Sequence, residues 1–375
     1  MKTYVIYCIA AAVVAWIFSF AVTPMVRIFA YRIGAIDVPK DGRRMHKTPT
    51  PLLGGLAIWF GFTLTSVLFC GLSAESVTMW AGATLIVLTG IIDDRFGIKA
   101  MLKFLIQIAV ALGTVFFGDI MITEITFLGK TFVFGEVLGT IISVFWIVAL
   151  INAINLIDGL DGLACGVSCI GALSILIISM IYSNSYMALF SCVLVGACAG
   201  FLPYNFNKAK IFMGDTGSMF LGYILAIMSF KGIMQMNSLL AFITPIAVFG
   251  LPLLDTAFAF IRRILQGRSP FSADRGHLHH RLIDMGFTHK QTVCIMYLIS
   301  AVLGMAAIVL SLRNLDETLE LFTNTRLMFA ACGILAAAVI MFVFEFFVFH
   351  NFNVRDTSGL NGAEEKQSDQ EDEKP

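Results

Sequence analysis

A chain of 375 residues could hold two or three soluble domains, but 58% of its residues are hydrophobic and only 13% are charged. A mean hydropathy of +0.87 excludes an ordinary soluble fold, because such a fold cannot hide that much apolar surface while a bilayer solvates it. The formal net charge of zero says nothing about partners, so the position of each charge has to be read instead.

A membrane span needs about 20 mostly apolar residues. Eleven stretches qualify, in chain order 4–26, 53–71, 77–92, 102–117, 137–154, 163–182, 186–202, 218–235, 239–261, 293–312 and 327–349. The first is too long for a signal-peptide core and reads as a retained span. Between spans four and five, residues 118–136 alternate around ITEITFLGKTFVFGE and predict a small hairpin outside the cell. The fold expected is an all-α integral membrane protein, with residues 1–350 forming one polytopic catalytic domain. Residues 351–375 are acidic and polar and read as a disordered cytoplasmic tail. The eight cysteines form no CxxC pair and lie mostly in apolar runs, where they pack as small hydrophobes.

Orientation follows from Lys and Arg, which concentrate on cytoplasmic segments. With the N-terminus outside and the C-terminus inside, 20 of the 25 basic residues fall on the inner side. Only Lys2, Lys130, Lys231, Arg313 and Arg326 fall outside.

The inner segments also collect carboxylates. The first inner loop, IDVPKDGRRMHKTPTPLLGG, sets Arg43, Arg44, His46 and Lys47 before prolines that fix the loop and a glycine pair that admits close approach. Asp93 and Asp94 end span three. Lys99, Lys103 and Gln107 share one face of span four. Lys103 lies about one turn inside the membrane, where it either snorkels or meets a ligand. In NAINLIDGLDGLA, Asn152, Asn155, Asp158 and Asp161 recur every three residues. A three-residue period drifts about 60° per step on a helix of 3.6 residues per turn, so the four cannot all point one way. Gly159 and Gly162 are expected to end that helix.

Phe212 and Asp215 lie in IFMGDTGS, where Phe212 could stack on a base. Asp255 lies in PLLDT. The loop after it, RRILQGRSPFSADRGHLHHRL, offers Arg262, Arg263, Arg268, Arg275, His277, His279, His280 and Arg281.

Ionisable groups at span ends are costly unless they serve a purpose. Several Asp and Asn side chains gathered at one face suit a hard cation such as magnesium, which takes a few carboxylates and shares its other positions with water and substrate phosphates. An Asp-Asp pair also suits base work, since neighbouring like charges raise one pKa. Arg and His beside them suit phosphate oxygens. HLHH could instead bind zinc, although its only nearby carboxylates are Asp274 and Asp284. A cation-coupled transporter would also place Asp and Asn in a membrane, but near its midplane at broken helices. Helix caps and ion-pair partners are the plain alternative for any single Asp, above all for Asp161 and Asp255.

Six motifs in order resemble the polyprenyl-phosphate N-acetylhexosamine-1-phosphate transferase superfamily (glycosyltransferase family 4): IDVPKDGRRMHKTPTPLLGG, GIIDDRFGIKAMLKF, NAINLIDGLDGLA, YNFNKAKIFMGDTGS, PLLDT and DRGHLHHRL. The resemblance runs from the first span to residue 349. It implies that a lipid phosphate attacks the β-phosphorus of a UDP-sugar, releasing UMP. It also implies magnesium (or manganese in its place) on Asp215 and Asn155, and Asp93 as base with Asp94 and Asp158 beside it. On the same footing His277, His279, His280, Arg275, Arg43 and His46 hold the diphosphate and sugar, Phe212 stacks on uracil, and Lys103 meets the lipid phosphate. Asp161, Asp255 and Asn152 support the site. HLHH followed by Arg281-Leu282 is similar to the bacterial branch that begins teichoic acid, enterobacterial common antigen or O-antigen. The implied substrates are UDP-N-acetylglucosamine and undecaprenyl phosphate, with another UDP-N-acetylhexosamine or a muramyl-pentapeptide donor as alternatives. Nucleic acid is not an expected partner, and a homodimer is compatible with the sequence. The implied location is a bacterial plasma membrane, with the site on its cytoplasmic face.

Overall fold

The computed structural model describes residues 2–39, 48–122, 124–127, 130–233, 239–267, 276–312 and 333. Candidate span 327–349 apart from Gly333, the tail 351–375, and Arg43, His46 and Arg275 lie outside the described residues.

The protein is an all-α multi-pass membrane protein. Its helices are α1 (Lys2–Ile33), α2 (Gly55–Cys70), α3 (Ala74–Phe96), α4 (Ala100–Phe117), α5 (Gly135–Ile157), α6 (Leu163–Ile181), α7 (Ser185–Asn205), α8 (Gly214–Gly232), α9 (Leu239–Val248), α10 (Gly250–Leu265), α11 (Leu278–Asp284) and α12 (His289–Leu312). Two short strand pairs join them. β1 (Ile36–Asp37) pairs antiparallel with β2 (Thr50–Pro51). β3 (Glu124–Phe127) pairs antiparallel with β4 (Lys130–Val133), setting Thr126 opposite Thr131.

Among the described residues seven helices (α1, α3, α4, α5, α6, α7 and α12) are long and apolar enough to cross a bilayer, or eight if α9 and α10 count as one span. That last pair corrects the sequence reading. Residues 239–261 were expected to form one span, yet the chain turns by 83° between the two helices. Pro245 sits inside α9, and Pro252 sits in the first turn of α10, where its missing N–H leaves no helical bond unmade.

Helix α8 is the axis of the bundle, with every residue from Thr216 to Gly232 buried. Without a hydrophobic drive between helices in lipid, association depends on close backbone approach and on interhelical hydrogen bonds. Both are present here. A Cβ on Gly55 or Gly90 would strike the backbone of Gly217 or Thr216, and one on Gly222 would lie 2.7 Å from the Leu150 carbonyl. The Tyr223 hydroxyl pairs with Thr114 Oγ1 at 2.7 Å, and Trp146 Nε1 donates to Ser229 Oγ at 3.1 Å.

The bundle is polarised. At one end the Tyr4 hydroxyl donates to the Ser185 carbonyl, Lys231 pairs with Glu75 at 3.1 Å, and Asn184 Nδ2 donates to the Lys231 carbonyl. The N-termini of α1, α3 and α7 therefore share an end with the C-terminus of α8. The opposite end brings together the C-termini of α3 and α5, the N-termini of α4 and α8, and the loop after α7, and the carboxylates meet there.

Candidate active site

Asp94 closes the last turn of α3 and reaches across to the start of α8. Its Oδ1 accepts from the Asp215 N–H at 2.9 Å, and its Oδ2 accepts from the Thr216 N–H at 3.1 Å and the Thr216 hydroxyl at 2.6 Å. A carboxylate in that place satisfies orphan donors and opposes the positive end of the helix dipole. Asp94 thereby fixes where Asp215 stands.

Asp215 is itself fully engaged. Its Oδ1 accepts from Asn155 Nδ2 at 2.9 Å, and its Oδ2 accepts from Lys103 Nζ. Lys103 also donates to Asp93 Oδ2 at 2.6 Å, while Asp93 Oδ1 accepts from the Ile98 N–H at 2.8 Å. The ammonium thus bridges the two carboxylates for which the resemblance implies the roles of metal ligand and base. Asn155 donates a second bond to Ser218 Oγ at 2.8 Å, which leaves its amide oxygen for the site.

A cavity of about 880 Å³ opens beside these groups, lined in part by Asp94, Asn155, Asp158, Asp161, Phe212, Asp215 and His280. Burial, with Asp215, Asp94 and Asp161 close by, holds the Asp158 carboxyl well above the usual carboxylate range. So many like charges around one cavity suit a cation. Among the described residues no three His, Cys, Asp or Glu side chains stand close enough to enclose a metal by themselves. The donors present, Asp215 with the Asn155 amide oxygen and Asp158 nearby, suit a hard ion that fills its other positions with water and phosphate oxygens.

The remaining sequence candidates take supporting places. Asn152 Nδ2 lies one turn deeper and donates to Gln107 Oε1 at 2.7 Å, clamping α5 to α4. Asp161 Oδ2 accepts from the Ala209 N–H at 2.8 Å and pins the loop before α8. Gly162 begins α6 at φ +79°, and its carbonyl accepts from the Tyr297 hydroxyl at 2.6 Å.

The HLHH run is held from α10. The buried Asp255 carboxylate pairs with His277 Nδ1 at 2.8 Å and accepts from the Leu278 N–H at 2.9 Å. His279 is buried against Gly159, and burial together with neighbouring His280 pushes its pKa down to about 3, so the ring is neutral. Among the described residues these engagements do not build a zinc cage. Asp255→Ala would strand two buried donors, and we expect it to destabilise the protein by about 2–4 kcal/mol. Asp255→Asn, which keeps an acceptor, should lose less. Thermal unfolding in detergent would compare them, and equal midpoints for Ala and wild type would exclude the latch.

The cavity also takes in residues that sequence reasoning did not select: Asp37, Thr48 and Thr50 from the first loop, Asn207 and Lys208, and His289 and Lys290 at the start of α12. Asn207 and Lys208 turn the chain with φ of 49° and 76°, a left-handed corner that no glycine announces.

The sequence profile of glycosyl transferase family 4 matches residues 76–233. A Bacillus subtilis (strain 168) protein named probable undecaprenyl-phosphate N-acetylglucosaminyl 1-phosphate transferase is 41% identical over 306 residues, covering 80% of this chain and 84% of its own length. Decaprenyl-phosphate N-acetylglucosaminephosphotransferase of Mycolicibacterium smegmatis is 37% identical over 325 residues, covering 78% and 79%. Undecaprenyl-phosphate alpha-N-acetylglucosaminyl 1-phosphate transferase of Escherichia coli K12 is 28% identical over 284 residues, covering 74% and 77%.

Proposed function

The chain belongs to glycosyl transferase family 4, and from that membership we propose that it transfers N-acetylglucosamine-1-phosphate from UDP-N-acetylglucosamine to undecaprenyl phosphate. The products are undecaprenyl-diphosphate-N-acetylglucosamine and UMP. An oxygen of the lipid phosphate bonds to the β-phosphorus, and the bond from that phosphorus to the bridging oxygen breaks, so UMP leaves with the oxygen. The observation that carries this reading is the position of Asp215. It stands between a cavity of nucleotide-sugar size and the Asp93–Lys103 pair on the α4 side.

Attack of one anion on another needs positive charge and orientation more than covalent help. Magnesium, held by Asp215 and the Asn155 amide oxygen, would supply charge to the diphosphate. Asp158 lines the same cavity close to Asp215, and Asp94 holds the start of α8 in place. His280 faces the donor phosphates, with His277 and His279 keeping its helix in register. Phe212 offers a face to uracil. Its backbone is tied on both sides, to the Pro51 carbonyl at 2.8 Å and to the Gly54 N–H at 2.9 Å. Asp93 is the candidate base for the acceptor phosphate, and Lys103 its counter-charge. With the N-terminus outside and α9 and α10 together making one broken span, this end of the bundle would lie at the cytoplasmic surface, where soluble donor and lipid acceptor can meet.

Membranes containing the protein, given radiolabelled UDP-N-acetylglucosamine, undecaprenyl phosphate and magnesium, should form labelled lipid and release UMP. Parallel reactions with UDP-N-acetylgalactosamine and UDP-muramyl-pentapeptide should give less. Label entering sealed vesicles without any lipid product would point to transport and defeat the proposal.

A further inference from the structure

Lys103 belongs to α4, whose neighbouring Met101, Leu102 and Leu105 are exposed on the outside of the bundle. A lysine that merely snorkelled would carry its ammonium to water. This one turns inward instead, with its side chain only 17% exposed, and lies between Asp93 Oδ2 and Asp215 Oδ2. It does not line the donor cavity, whereas Asp215 does. The carboxylate of Asp215 therefore has one oxygen bonded to Asn155 and the other to the Lys103 ammonium, which lies outside the cavity lining.

We propose that Lys103 is an exchangeable counter-ion, released by Asp215 to the acceptor's phosphate when a divalent cation takes Asp215. The inference rests on the transferase reading above and adds a coupling to it. An ammonium and a divalent cation on one carboxylate would sit within a few ångströms of each other and repel strongly in a part-buried site. The ammonium has somewhere to go. Its four-carbon stem is flexible and its bond to Asp93 can persist, so its freed donors can turn to a phosphate held beside Asp93. By linkage, a phosphate that draws Lys103 away must tighten the cation at Asp215 by the same factor by which the cation tightens the phosphate. Donor-side and acceptor-side binding would then reinforce each other through one side chain.

Manganese binding to the full-length protein in detergent, followed by electron paramagnetic resonance, tests the exchange without turnover. A water-soluble isoprenyl phosphate should tighten manganese binding to the wild type several-fold, and inorganic phosphate at the same concentration should do less. Lys103→Met should bind manganese about tenfold more tightly than wild type without any phosphate, the scale of one charge-assisted hydrogen bond removed from the competing state. It should show no further gain when isoprenyl phosphate is added. Lys103→Arg keeps the charge and should stay near wild type. Equal or weaker manganese affinity in Lys103→Met, or a wild type whose affinity ignores isoprenyl phosphate, overturns the exchange. The wild-type measurement stands even if the Met variant fails to fold. Labelled-lipid formation by wild-type membranes would leave the transferase reading intact in either case.

Discussion

Asp215→Asn should reduce labelled-lipid formation by roughly 10³-fold or more, the range seen when a group that stabilises transition-state charge is removed. The substitution keeps size and shape but removes the charge and turns one of the two acceptor oxygens into a donor. The fold should survive, because the bonds that seat the start of α8 run from Asp94 to the Asp215 N–H and to Thr216, and none uses the Asp215 side chain. Asn155 and Lys103 also retain other partners, Ser218 Oγ and Asp93 Oδ2. The two readouts should therefore separate, with thermal unfolding near that of wild type and lipid product near background. A variant that turns over within tenfold of wild type would remove Asp215 from the reacting centre. Asp94→Asn should instead lower the unfolding midpoint along with activity, since it weakens the charge opposed to the α8 dipole and replaces an oxygen that accepts from α8.

The contrast between these two aspartates shows what could be read from the sequence. That Asp93, Asp94, Asp158 and Asp215 belong together follows from their expense at span ends, because membrane helices rarely carry unpaired carboxylates without a purpose. Which of them meets a ligand and which meets another helix is fixed by contacts between residues more than a hundred positions apart, such as Asp94 with Thr216, and no local pattern encodes that. The same division runs through the fold. Hydropathy locates α1, α3 to α7 and α12, since each is a long apolar run. It misses the break between α9 and α10, because averaging over a span-sized window conceals a local turn of 83°. Residues 250–265 carry their own signal in Pro252 and in apolar residues confined to one face. The cavity rim at Asn207, Lys208, His289 and Lys290 escaped notice for a simpler reason. Single polar residues beside loops are common, and only assembly places these around one space.

Gly214→Ala should be among the most damaging small substitutions in the chain. Gly214 opens α8 at φ +70°, where an L-residue is strained by roughly 1–2 kcal/mol. The added methyl would also press into the Asp94 carboxylate, whose Cγ and Oδ1 would lie 2.9 Å away. Asp94 must then retreat from three hydrogen bonds, each contributing about 1 kcal/mol, and the total loss should reach about 3–5 kcal/mol. Gly97 provides the control. Its φ of +68° is nearly the same, but nothing lies within 4 Å of the position a Cβ would take. Gly97→Ala should therefore show the backbone strain alone, and the difference between the two unfolding midpoints measures the seat of Asp94 on α8. Adding Asp94→Ala to Gly214→Ala should destabilise by less than the sum of the single effects, because the first change removes the group that the second displaces. Activity should fall further than stability in Gly214→Ala, since the next residue is Asp215 and its backbone N–H is one of the groups Asp94 holds. If Gly214→Ala proves as mild as Gly97→Ala, then Asp94 does not anchor α8, and the position of Asp215 must be set by something else.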